Sequence, residues 1–99
     1  MKTYRVTETA DAQLQDIWRF TAKRWNPAQA DSYLEQLERA VTAALETPAL
    51  LRARPELGDD IFAIPAGSHI IYCVAEVDVL AIVAVLHARQ DPRRNLMRS

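Results

Sequence analysis

Residues 61–87 read IFAIPAGSHIIYCVAEVDVLAIVAVLH, and the fold turns on how this stretch divides. β-Branched and aromatic residues dominate it, which is strand composition. The segments are Ile61 to Pro65, His69 to Ala75 and Val79 to Leu86, parted by Ala66-Gly67-Ser68 and Glu76-Val77-Asp78. Connections this short join only antiparallel neighbours, so the three strands form a meander. Within it, alternation fails. Ile70 to Val74 are apolar or aromatic in succession, as are all eight residues from Val79 to Leu86. A sheet with one wet face should alternate, so both faces of these strands demand cover.

Upstream lies a helical texture. Lys2 to Val6 reads as a short strand, and Thr7 stands where an N-cap precedes a helix. Ala10, Leu14, Ile17, Trp18, Thr21 and Trp25 then line one stripe, with Asp11, Gln15, Arg19 and Lys23 facing outward. Asn26 and Pro27 restart the chain, because Asn accepts from free helix amides and Pro suits the first helical position. Ala30, Tyr33, Leu34, Leu37, Ala40, Val41, Ala44 and Leu45 form the second apolar face, which Pro48 ends. Two helices joined by a tight turn make an antiparallel hairpin. The hairpin covers one face of the meander; the first strand, the tail or another chain must hide the other face or an exposed edge. A partner chain is the expected cover.

The chain has 99 residues, 49% hydrophobic and 25% charged, which suits one soluble domain, 1–99, with one core. No apolar run is long enough to cross a bilayer, no signal peptide is visible, and a cytoplasmic location is expected. A formal charge of −1 argues against bulk electrostatic coating of nucleic acid, and no direct sequence-specific DNA binding is expected. The segment 87–99 differs. It carries Arg89, Arg93, Arg94 and Arg98 against Asp91 alone and is read as a mobile basic tail.

Conventional catalytic motifs are missing. His69 and His87, the only two imidazoles, flank the central strands without a neighbouring nucleophile motif. Ser68 beside His69 is no acyl-transfer pair, since adjacent strand residues face opposite sides and no elbow surrounds the serine. Cys73, the single cysteine, sits mid-strand and reads as an inert buried thiol. Gly58 and Gly67 are the only glycines and neither belongs to a phosphate loop. Neither a metal nor a cofactor is expected. The two tryptophans on the helical stripe read as core, with Trp25, beside the turn, the better placed for contact. In Gly67-Ser68-His69 the glycine supplies a permissive turn, and the histidine can hydrogen-bond the backbone or the tail across the sheet.

Taken in order, strand, helical hairpin and meander carry Asp16-Ile17-Trp18, Arg24-Trp25, Ala30, Tyr33, Pro48, Ala66-Gly67-Ser68-His69, Val85-Leu86-His87, Arg89, Asp91 and Asn95-Leu96. Over nearly the whole chain this resembles the ParE toxins of the RelE/ParE superfamily. Ala-Gly-Ser-His and Val-Leu-His-x-Arg-x-Asp, on successive strands, are its most specific parts. The resemblance implies an α+β fold with the hairpin packed on an antiparallel sheet. It also implies a toxin of a type II toxin–antitoxin pair that stalls DNA gyrase on DNA and is neutralised by a ParD-like antitoxin. The alternatives are messenger RNA cleavage on the ribosome, as in the related RelE toxins, and a non-toxic member that only binds partners. RNA cleavage needs a proton acceptor and cations on the developing phosphate charge, and no Lys or Arg occurs between Ile61 and Leu86. ParE relatives commonly carry arginine near the positions of Phe62, Val74 and Ala84. Partner binding without enzymatic chemistry is therefore expected. Trp18, Trp25 and Tyr33 are the candidate antitoxin anchors, Arg89, Arg93 and Arg94 the candidate gyrase contacts, and His87 and Asp91 the residues that set the tail's exit.

Overall fold

A computed structural model describes residues 3–96. The chain runs β1 (Thr3–Val6), α1 (Glu8–Arg24), α2 (Pro27–Glu46), a single 3₁₀ turn (Pro48–Leu50), β2 (Arg52–Ala53), β3 (Ile61–Ala66), β4 (His69–Glu76), β5 (Val79–His87) and α3 (Pro92–Leu96). One five-stranded sheet has the order β1-β5-β4-β3-β2. The meander is antiparallel, but β1 pairs parallel to β5, so the sheet is mixed and not antiparallel throughout. Hairpin turns dictate the sense of β3, β4 and β5. An edge strand remote in sequence from its partner has no such constraint.

Local chemistry fixes the helix starts. Thr7 Oγ1 accepts the Ala10 N–H at 3.2 Å, and Asn26 Oδ1 accepts the Gln29 N–H at 2.7 Å, each satisfying a donor that the first turn leaves free. Both meander turns have two residues, one fewer than the pattern suggests, since Ala66 pairs with His69 and Glu76 with Val79. Asp78, with φ of 61°, takes the left-handed position in the second turn, which aspartate tolerates better than most residues.

Between sheet and hairpin lies the main core, built from Ala10, Leu37, Val41, Ala44, Ile64, Ile71, Cys73, Leu80, Ile82 and Val85. A second cluster sits on the opposite face: Leu57, Ala63, Tyr72, Ala84 and Leu86, with Ile61, Ile70, Val83 and Leu96 packed around it. This accounts for the lost alternation. The cover comes from within the chain, through Leu57 of the loop after β2 and Leu96 of α3, where a partner was expected. The tail reading is corrected too. Pro92–Leu96 is a helical turn against the sheet, while Arg98 lies outside the described residues.

β5 also holds a bulge. Cys73 pairs with Ile82 but Tyr72 pairs with Ala84, leaving Val83 as the extra residue. Val83 and Ala84 therefore both belong to the second cluster, and every pairing beyond them moves by one.

Beyond Val6 the outer edge of β5 has no strand beside it among the described residues, and polar groups close it in turn. The Thr7 N–H donates to Ile82 O at 3.0 Å, Gln13 Oε1 accepts the Val85 N–H at 2.7 Å, and Gln90 Oε1 accepts the His87 N–H at 2.8 Å. An edge so capped is a poor template for another strand.

Candidate functional site

The bulge decides what meets at the end of the sheet. Counted from the second turn without an extra residue, His69 would lie opposite Leu86; with Val83 inserted, it lies opposite His87. The two imidazoles meet edge to face with centroids 5.4 Å apart. Tyr33 reaches them from α2. Its hydroxyl oxygen accepts the Ser68 N–H at 2.9 Å and stands 2.6 Å from His69 Nδ1. Having accepted from the amide, the hydroxyl has its own hydrogen to give, and a neutral His69 can receive it. Burial first, and the charge of His87 second, hold the His69 pKa below its usual 6.5, which favours that neutral ring.

Gly67 makes the arrangement possible. Its φ is +57°, and a Cβ there would lie 2.6 Å from Tyr33 Oη. Both the backbone angle and the close approach of the phenol exclude a side chain.

Around this cluster opens a pocket of about 210 Å³ whose outer wall is Phe20 and Trp25. Phe20 is 71% exposed and Trp25 65%. The core reading of Trp25 is thus overturned: α1 ends at Arg24, and the indole projects past the packed part of the stripe. The Arg24 guanidinium lies over it, 5.4 Å from the ring centroid. Trp18 differs. It is half-buried, and its indole N–H donates to Asp31 Oδ1 at 2.8 Å, tying α1 to α2. Phe20 escaped the sequence reading, although an aromatic residue outside the apolar stripe was a legible signal.

Beyond β5 the tail residues fall into two groups. Asp91 accepts the Arg93 N–H on Oδ1 at 2.9 Å, and its carbonyl accepts the Arg94 N–H at 3.2 Å and Asn95 Nδ2 at 2.8 Å, so it organises α3. His87 Nδ1 accepts the Arg89 N–H at 3.2 Å, which turns the chain out of the strand. Arg89, Arg93 and Arg94 are exposed.

The sheet face turned away from the hairpin offers little to an anion. Ala84 faces this side, and Val74 lines a shallow pocket there with Ile61, Val83 and Leu96, while Phe62 pairs with Cys73. Arg54 lies over the Tyr72 ring at 6.0 Å, but its Nε is paired with Glu56 at 2.6 Å. Cys73 is sealed in the core, and burial pushes its thiol pKa up to about 12. Among the described residues no three His, Cys, Asp or Glu side chains gather as a metal site.

A larger apolar groove of about 260 Å³ opens between the hairpin and the β1 side of the sheet, lined by Tyr4, Leu14, Leu34, Val41, Ile82 and others. Glu35 and Glu38 stand at it, and Glu38 accepts the Tyr4 hydroxyl at 3.2 Å.

Residues 4–92 match the family described as "ParE toxin of type II toxin-antitoxin system, parDE". Toxin ParE1 of Mycobacterium tuberculosis is 37% identical over 94 residues, covering 94% of this chain and 96% of its own length. Toxin ParE1 of Caulobacter vibrioides is 31% identical over 96 residues, covering 97% and 99%. Toxin ParE of Escherichia coli is 28% identical over 92 residues, covering 92% and 89%. The fold is similar to a chain of the chromosomal ParDE TA system from P. aeruginosa, with a TM-score of 0.73, 13% identity and coverage of 88% of this chain and 95% of that one.

Proposed function

Since this chain belongs to the ParE toxin family of type II toxin–antitoxin systems, we propose that it arrests growth by binding DNA gyrase and that a ParD-like antitoxin neutralises it by direct contact. One observation carries the preference for binding over RNA cleavage. The outward sheet face is a closed apolar cluster, and the arginine beside it, Arg54, is spent on Glu56. A phosphoryl transfer site needs unpaired cations aimed at the developing charge. An inhibitor that acts by occupying its target has no such requirement.

Two surfaces suit the two partners. The groove lined by Tyr4, Leu14, Leu34 and Val41 fits the apolar face of an antitoxin helix, with an extended segment continuing past Trp18, Trp25 and Tyr33. Arg89, Arg93 and Arg94, held outward by His87 and Asp91, supply the charge that meets gyrase.

The test is a supercoiling and cleavage assay with gyrase, run with and without the antitoxin. Trapped cleaved DNA, relieved by the antitoxin, is the expected result. Charge removal is a cleaner probe of the tail than truncation, because truncation would also strip Leu96 from the second cluster. The double change Arg93→Gln, Arg94→Gln should weaken inhibition strongly and leave antitoxin affinity within about threefold, as expected for charges outside that interface. Message cleavage on the ribosome by a chain that leaves gyrase untouched would overturn the proposal.

A further inference from the structure

The pocket beside the Gly67 turn holds more polar chemistry than the support of a hairpin requires. His69 Nδ1 is engaged by the Tyr33 hydroxyl and His87 Nδ1 by the Arg89 backbone N–H. With Nδ1 accepting in each ring, Nε2 is the nitrogen that carries an N–H. Two imidazole donors and the Ser68 hydroxyl thus belong to one pocket, and none of its lining residues is acidic. The Arg24 guanidinium lies over the Trp25 ring and Arg89 follows His87 by two residues, its backbone N–H on that imidazole; neither arginine is ion-paired among the described residues. Next to these groups, Phe20 and Trp25 expose their rings. The volume, about 210 Å³, falls below the ~300–1,000 Å³ of pockets that enclose a whole small molecule, and it suits one or two side chains.

We propose that this pocket docks an acidic segment of a protein partner. An apolar or aromatic side chain lies against Phe20 and Trp25, and a neighbouring carboxylate meets the imidazole N–H groups and these two arginines. Charge complementarity selects the carboxylate, and the exposed rings select its apolar neighbour. A peptide fits better than a nucleic acid strand. Two arginines on a chain of net charge −1 do not form the continuous basic track that a phosphate backbone requires. The inference rests on the reading that the chain works through protein partners, and it adds the chemistry such a partner must present.

The experiment uses the purified chain and NMR titration with the peptide acetyl-Glu-Leu-Phe-Glu-amide. The comparison ligands are the Gln isostere of the same peptide and a short oligothymidylate. Shift changes should centre on the Phe20 ring, the Trp25 indole N–H and the two imidazoles, saturating at a roughly millimolar Kd, as a handful of contacts allows. The Gln peptide should bind at least about fivefold more weakly, as should the acidic peptide to the Arg24→Gln, Arg89→Gln double variant. Phe20→Ala, at an exposed position, should weaken binding with an unchanged spectrum elsewhere. Equal binding of the two peptides, shifts centred on Tyr4 and Leu14, or preference for oligothymidylate would overturn the proposal. The titration involves neither gyrase nor antitoxin, so its failure and the failure of the functional reading are separate outcomes.

Discussion

Gly67 and Tyr33 depend on each other closely. A side chain at Gly67 meets both a φ of +57° and the phenol oxygen 2.6 Å away. Gly67→Ala should therefore cost about 1–3 kcal/mol, read as a lower urea midpoint with an unchanged slope. Tyr33→Phe keeps the ring and removes the oxygen that serves Ser68 N–H and His69 Nδ1, for an expected loss of about 1–2 kcal/mol. His69 adds a pH term whose sign follows from its lowered pKa. The folded state prefers the neutral ring, so this stabilisation is complete above the unfolded pKa of 6.5 and fades as pH falls through the lower folded value. Urea midpoints of the native chain should decline between pH 7.5 and 5 more steeply than those of His69→Gln, a window set by that 6.5 reference. Equal slopes would show that acidic residues elsewhere govern the decline. Part of this was written in the sequence: Gly67 announces a turn, but His69 was read as bonding the backbone or the tail across the sheet, and its partner is the Tyr33 hydroxyl from α2. The pairing of His69 with His87 was not, because it needs a bulge at Val83 and no residue type marks one.

Among the elements, β5 is the most constrained. It lies between β1 and β4, is buried on both faces and is bare along part of one edge, where Gln13 supplies the acceptor that β1 is too short to provide. Gln13→Ala leaves the Val85 N–H without its partner and should cost about 1–2 kcal/mol. Amide exchange at Val85 is the direct readout. It should rise in the variant; unchanged protection would mean that the α1 backbone alone shields the edge. The elements themselves were legible. Caps at Thr7 and Asn26, the proline at position 27 and three β-rich runs all have short-range causes, and β1, the two long helices and the meander form where those causes place them, whereas β2 and α3 fall in segments read as loop and tail. What escaped has long-range causes. The parallel sense of β1 and the cover of the second face by Leu57 depend on contacts between segments far apart in sequence, and Trp25 is exposed because α1 stops one residue short of it.

At the scale of the molecule, the two faces of the sheet serve different ends. The hairpin side carries the groove and the aromatic pocket, while the opposite side is closed by single leucines from a loop and from α3. Such a lid has little redundancy. Leu57→Ala should cost about 2–4 kcal/mol and, by uncovering Tyr72 and Ala84, promote self-association visible by light scattering. If the variant stayed monomeric with near-native stability, the lid would be dispensable. The pairing of β1 with β5 has a further effect, felt during synthesis. Thr3 waits for Val79, which leaves the ribosome some 4–15 s later at ordinary elongation rates of about 5–20 residues per second. Until then the growing polypeptide has no partner for its first strand. A message broken upstream of the codon for Val79 thus yields a fragment without the strand that joins β1 to the meander, so the cell meets the finished sheet only once β5 has been translated.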